Sequence, residues 1–170
     1  MSGNPMETGS VAAIVEALNR HQVQYLIAGG LAVVAHGYVR FTADVDALLA
    51  MESANLQAAI AALESLGYKP RAPVAFAELL DPAARRRWKE EKNMIVFSLY
   101  SPRHAATEID LFLDPPIDVP AALARAMTVE IAPGISAAFC GREDLIRMKT
   151  LAGRPRDLED IAMLRARNQK

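Results

Sequence analysis

The chain has 170 residues, 52% of them hydrophobic, which is enough to fill one core and fits one domain, or one domain with a small helical appendage. Lys and Arg total 19 against 20 Asp and Glu, a formal charge of −1 that excludes a protein coating nucleic acid by bulk charge. A single cysteine, Cys140, excludes an intrachain disulfide and fits a reducing cytoplasm, no run approaches the ~18 apolar residues of a membrane span, and MSGNPMETGS carries no secretory signal pattern.

In chain order, residues 1–9 read as a disordered lead. Ser10 caps a helix in which Val11, Ile14, Val15 and Leu18 recur at helical spacing. VQYLIAG is rich in branched and aromatic residues and predicts a strand, ended by Gly29 and Gly30. LAVVAH predicts a short buried helix closed by Gly37, and DVDALLA a second strand. ESANLQAAIAALESLGY places Leu56, Ile60, Leu63 and Leu66 along one helix face. AFAELLDPAARRRWKE reads either as a helix interrupted near Pro82 or as a long loop. NMIVFSLY and TEIDLFL are two strands, antiparallel neighbours joined by SPRHAA, and PPIDVPAALARAM is a turn and a short helix. TVEIAPGISAAFC gives two short strands, or a strand and a loop. REDLIRMKTLAG is a helix with Leu145, Met148 and Leu151 on one stripe, and Pro155 starts a last helix with Leu158, Ile161 and Leu164 inward. Strands and helices mixed without strict alternation favour an α+β fold with a mixed sheet, a core over 10–140 and a helical segment over 141–170.

Two carboxylates interrupt the second strand. Side chains at i and i+2 share a strand face, so Asp44 and Asp46 project together and repel unless a cation sits between them. A divalent metal is the usual solution, and Mg²⁺ binds through a couple of carboxylates plus substrate phosphates. A third acid comes from TEIDLFLD. Glu108, Asp110 and Asp114 follow one alternation, and Asp110 is the best embedded, between Ile109 and Leu111. Three carboxylates on adjacent strands suit two metals, one lowering the pKa of an attacking hydroxyl and one holding a triphosphate. The Gly29-Gly30 turn lets backbone N–H groups approach a phosphate closely. Each piece also has a plain structural reading: solvent-facing acids on an edge strand, and an ordinary strand-to-helix turn.

Together, AGG…AHGYVRFTADVDALL and the later EIDLFL resemble the DNA polymerase β-like nucleotidyltransferase superfamily. Within it, the chain is similar to small stand-alone bacterial nucleotidyltransferases, including AbiEii-type toxins, and its tail DLIRMKTLAGRPRDLEDIAML is similar to that group's ending, a helix carrying Lys, then Arg, then Asp before a final helix. The resemblance covers residues 24–50, 94–113 and 141–164. It implies metal-ligand and catalytic roles for Asp44, Asp46 and Asp110, with two Mg²⁺ ions and Mn²⁺ as a substitute. It implies phosphate contacts from Gly29 and Gly30, where Gly30 replaces the serine of Gly-Ser relatives and offers backbone alone. Lys149 would be a point charge on the triphosphate, and Arg40 and Thr42 would adjoin the nucleotide. The implied activity is transfer of a nucleoside monophosphate from an NTP to a tRNA, protein or small-molecule hydroxyl, in the cytoplasm and away from any membrane. A toxin acting on tRNA, with a cognate antitoxin, is the first reading. An antibiotic adenylyltransferase and a non-catalytic binding member are the alternatives.

Several residues carry two readings. Asp157 and Asp160 share a helix face and either pair with Lys149 or Arg154 or are solvated. His36 reads as a helix-end residue rather than an acid–base group. Trp88 beside Arg85, Arg86, Arg87 and Lys89 is either an RNA-facing patch or a solvated basic helix with one buried ring.

Overall fold

Burial alternates along two strands of the chain: Phe97 and Leu99 are buried between half-buried Val96, Ser98 and Tyr100, and Ile109 and Leu111 are buried beside half-buried Asp110 and Phe112. That alternation is the mark of a sheet packed on the core by one face and open on the other. The computed structural model describes residues 8–38 and 42–166, so Arg40 and the first seven residues lie outside the described residues. The helices are α1 (Thr8–Arg20), α2 (Gly29–Ala35), α3 (Ser53–Glu64), α4 (Pro82–Lys92), α5 (Val119–Leu123), α6 (Arg142–Ala152) and α7 (Pro155–Ala166). The strands are β1 (Tyr25–Ala28), β2 (Val45–Leu49), β3 (Lys69–Pro70), β4 (Val96–Tyr100), β5 (Ile109–Phe112), β6 (Met127–Ala132) and β7 (Ile135–Phe139).

The strands form one sheet in the order β3-β4-β5-β2-β1-β7-β6. It is mixed: β2 pairs antiparallel with β1 but parallel with β5, and β1 pairs parallel with β7. β4 and β5 are antiparallel neighbours, and β6 and β7 form a hairpin, so TVEIAPGISAAFC resolves to two strands. The architecture is the α+β one expected. β1, near the middle of the sheet, is buried at all of its positions, and its Leu26 and Ile27 join Ile14, Leu48, Leu63 and Leu99 in a single core.

Local chemistry sets several boundaries differently from the pattern reading. Ser10 lies inside α1, not at its cap, and its buried Oγ sits 2.8 Å from His104 Nδ1. Pro82 opens a helix rather than interrupting one. Asp81 accepts from the Ala83 amide at 2.9 Å as N-cap, Pro82 takes the first position, and Phe76–Leu80 forms a separate 3₁₀ turn. Trp88 is buried and stacks on Phe97 with ring centroids 5.2 Å apart, so the basic face of α4 offers no aromatic platform from this ring.

Two leucines expected inward face solvent: Leu151 is 68% and Leu158 59% exposed. Steps of three residues drift about 60° around a helix, so two such steps carry Leu151 off the Leu145–Met148 face. On α7 the buried face is Asp157, Asp160, Ile161 and Leu164, which turns Leu158 outward. On α6 it includes Asp144 and Lys149 beside Leu145 and Met148. Charged residues thus occupy inward positions on both C-terminal helices.

Cys140 and His36 are structural. His36 Nε2 donates to the Cys140 carbonyl at 2.9 Å, tying the end of α2 to the end of β7. Burial, with Asp144 adding to it, pushes the Cys140 thiol up to about 12. Iodoacetamide at mildly alkaline pH should leave the native protein unlabelled and label it fully in urea. Rapid labelling of the folded protein would contradict that burial.

Candidate active site

The parallel pairing of β2 with β5 puts Asp46 directly beside Asp110, flanked by the pairs Val45–Ile109 and Ala47–Leu111. Paired residues on neighbouring strands project to the same face. Asp44 precedes β2 by one residue and, by alternation, joins Asp46 on that face. On the other side of β5, Ser98 pairs with Asp110, and its Oγ donates to Asp110 Oδ1 at 2.6 Å. The other two acids of this segment have partners elsewhere: Glu108 pairs with Arg71 and Asp114 with Lys89. The acid that stands beside Asp46 across the strand pair is Asp110.

The charges are felt. Burial first, then Asp110 and Asp44, push the Asp46 carboxyl up to about 6, against the opposing pull of Lys149 and Arg154. The Asp44 carboxyl is also raised, by partial desolvation and then by Asp110 and Glu108. Among the described residues no three acidic, imidazole or thiolate side chains are already drawn into a cage for an ion. What the three aspartates share is a face and a field. Unrelieved repulsion among carboxylates fixed side by side on a rigid sheet is what a divalent cation removes, and an all-oxygen donor set fits Mg²⁺ or Mn²⁺.

Gly29 is fixed by Asp46. It has φ +62°, and a Cβ placed on it would lie 1.9 Å from Asp46 Oδ2. The helix begins at the glycine pair itself, so Gly29 and Gly30 form the first residues of α2 instead of only ending β1. Any side chain at position 29 must both adopt a left-handed backbone and displace the carboxylate. Gly29→Ala should therefore lower the urea midpoint, with a loss of about 1–3 kcal/mol, and remove Mg²⁺-dependent stabilisation. A variant indistinguishable from wild type in both would contradict the close approach.

Facing these groups is the α6–α7 pair. Lys149 is buried, with Nζ 2.8 Å from Asp160 Oδ2 and 3.6 Å from Asp157 Oδ1, and both carboxylates are buried too. Asp157 also accepts from the Arg154 amide at 3.1 Å and from Arg154 Nε at 2.7 Å, closing the start of α7. The pairing reading of Asp157 and Asp160 holds, and the solvated one does not. Burial alone would raise the Asp157 carboxyl, but Arg154 and Lys149 outweigh it and hold it below the usual range. A carboxyl depressed by folding contributes stability that is full above its unfolded value of about 4 and lost as pH falls through its folded value. Asp157→Asn should accordingly flatten the acid limb of a stability-versus-pH curve followed by circular dichroism; an unchanged limb would contradict the pairing.

A cavity of about 420 Å³ gathers Gly29, Gly30, Thr42, Ala43, Asp44 and Asp46 from one side and Lys149, Arg154, Arg156, Asp157 and Asp160 from the other. A second, of about 550 Å³, shares Asp46 and Lys149 with it and extends past Asp110. Of the expected site residues, Asp44, Asp46, Gly29, Gly30, Thr42 and Lys149 line the first cavity, and Asp110 the second. Ser98 and Arg154 were missed as site residues. Ser98 was legible only once the β4–β5 hairpin register was fixed, and Arg154 only from its partner Asp157.

The fold is that of the nucleotidyltransferases. One solved structure similar to it is that of ANT(2″)-Ia, an aminoglycoside nucleotidyltransferase, in complex with adenylyl-2″-tobramycin, at a TM-score of 0.55 and 14% identity over 93% of this chain and 87% of that one. No family model matches the sequence, and no curated protein matches it. Among the described residues no helix is long and apolar enough to cross a membrane.

Proposed function

We propose that the protein transfers a nucleoside monophosphate from an NTP to an acceptor hydroxyl. The observation that carries this reading is the register of Asp46 on Asp110, opening onto a cavity that also holds the glycine turn and Lys149. Two Mg²⁺ ions held by Asp44, Asp46 and Asp110, or Mn²⁺ in their place, would neutralise the triphosphate and acidify the acceptor hydroxyl. The chain's own groups do the rest. The backbone N–H groups of Gly29 and Gly30 receive phosphate oxygens, with Thr42 beside them. Lys149, held by Asp160 and Asp157, presents positive charge to the same space. Ser98 donates to Asp110 Oδ1 and so fixes the orientation of this carboxylate, which would help remove the acceptor proton. The acceptor oxygen bonds to the α-phosphorus, and pyrophosphate departs with the electron pair of the broken bond.

The acceptor has two readings. The C-terminal Lys149, Arg154 and Asp157 pattern supports an AbiEii-like toxin that modifies tRNA in the cytoplasm and is countered by an antitoxin. The likeness to ANT(2″)-Ia, solved with adenylyl-2″-tobramycin, supports a small-molecule acceptor. The presence of all three acids on one face speaks against a non-catalytic member. Incubation with each of the four labelled NTPs, Mg²⁺ and in turn tRNA, the protein alone and aminoglycosides tests the reading. Expected are Mg²⁺-dependent label transfer and pyrophosphate release, abolished by EDTA. No transfer, and no thermal stabilisation by Mg²⁺ with any NTP, would overturn it.

A further inference from the structure

The two cavities that meet at Asp46 differ in chemistry. The first is mainly polar: the Gly29–Gly30 backbone and Thr42, three cations and four aspartates line it, a surface suited to a triphosphate only with a metal between its phosphates and Asp44 and Asp46. The second, about 550 Å³, brings Asp110 together with four apolar side chains, Ile95 and Val96 at the start of β4, Phe112 at the end of β5 and Leu151 near the end of α6. Ile95 and Leu151 are 72% and 68% exposed, the two most exposed of the large apolar side chains on the described surface. Val96 and Phe112 pair across β4 and β5, two residues from Asp110 on the same open face. Apolar side chains held in water around a concavity mark a ligand site. The cations that line this trough, Lys149 and Arg154, sit at its inner end and are engaged by Asp160 and Asp157. At the outer end the charged lining group is Asp114, whose partner is Lys89.

We infer that this trough is the acceptor subsite, and that it takes a small hydroxyl-bearing molecule with an apolar body, neutral or cationic, in preference to a nucleic-acid end. This rests on nucleotidyl transfer as the reaction. The volume matches a drug-sized ligand. A phosphodiester backbone would have to lie against Asp114 and four apolar side chains, and the two lining cations, Lys149 and Arg154, are already paired with Asp160 and Asp157, whereas an alkyl or ring system covers the apolar surface and an ammonium is tolerated beside Asp114. A hydroxyl at the inner end of such a molecule reaches Asp110, where its proton is taken as its oxygen bonds to the α-phosphorus and pyrophosphate leaves.

The test uses the full chain, with amino alcohols as probes: 2-aminoethanol, 6-amino-1-hexanol and 8-amino-1-octanol, against a short RNA oligonucleotide. Methyl NMR reads binding without any NTP. The long amino alcohols should shift the Ile95 methyl resonance, the RNA should not, and Leu151→Glu should abolish the shift while leaving the spectrum folded. With labelled NTP and Mg²⁺, kcat/KM for the amino alcohols should rise by up to about fourfold per added CH₂. Ile95→Glu and Leu151→Glu should each cost at least tenfold in acceptor KM and leave KM for the NTP unchanged. The inference is overturned if the Ile95 methyl ignores the amino alcohols. It is also overturned if the variants raise KM for the NTP instead, or if the RNA end is labelled faster than any amino alcohol. Length-dependent binding at Ile95 without transfer from any NTP supports the trough as a ligand site and counts against nucleotidyl transfer, so the two failures are distinct.

Discussion

Asp46→Ala should lower nucleotidyl transfer at least ~10³-fold, about 4 kcal/mol of barrier, while the protein stays folded. Asp46 is the hub of the site: it stands beside Asp110 across the strand pair, shares a face with Asp44, abuts Gly29 and lines both cavities. The same substitution separates catalysis from folding. Burial and two like charges disfavour the ionised Asp46 side chain in the folded chain. Removing it should raise the thermal midpoint of the metal-free protein while erasing the stabilisation given by Mg²⁺ with NTP. Steady-state rates and thermal melts with and without Mg²⁺ check both halves. A loss under tenfold, or a fall in the metal-free midpoint, would defeat the assignment.

The second large effect lies at Lys149. Lys149→Ala leaves the buried Asp160 carboxylate without its ammonium partner and Asp157 with Arg154 alone. Breaking a buried ion pair from one side costs about 3–5 kcal/mol, because the surviving charge stays out of water. In a domain of this size that is a drop of roughly 6–20 °C in thermal midpoint. The double variant Lys149→Met with Asp160→Leu should recover most of the loss, since an apolar pair of similar volume carries no stranded charge. It should not recover NTP affinity, which needs the ammonium. Urea unfolding and NTP titration read the two separately. A Lys149→Ala protein as stable as wild type would show that the cluster is hydrated rather than buried.

The strand face that carries the aspartates was more legible in the sequence than the helices that confront it. Strand periodicity needs only two residues, so Asp44 and Asp46 could be placed on one face, and the apolar neighbours of Asp110 marked it as embedded. The pairing of β2 with β5 is a long-range fact that no local pattern carries, yet Asp110 was reachable because its strand held few alternatives. The C-terminal helices were misread at their edges for a specific reason. Leucine spacing marks the inward face only where apolar burial decides it, whereas α6 and α7 turn Lys149, Asp157 and Asp160 toward each other and leave Leu151 and Leu158 in water. Charged residues become interior when each finds a partner on another element, and partnership between elements is invisible to a pattern that ranks residues one at a time. Pro82 was ambiguous for the opposite reason: its role depended on Asp81 serving as a cap, a strictly local feature.

A crystal structure grown with Mn²⁺ and a non-hydrolysable NTP puts the central claim to its most direct test. Anomalous density should show metal bridged by Asp44 and Asp46, with an Asp110 oxygen also within about 2.0–2.3 Å of an ion, and the phosphates on the Gly29–Gly30 turn. Nucleotide bound with Asp110 turned away from the metal, or metal density elsewhere on the molecule, would contradict the convergence on which the proposed chemistry stands.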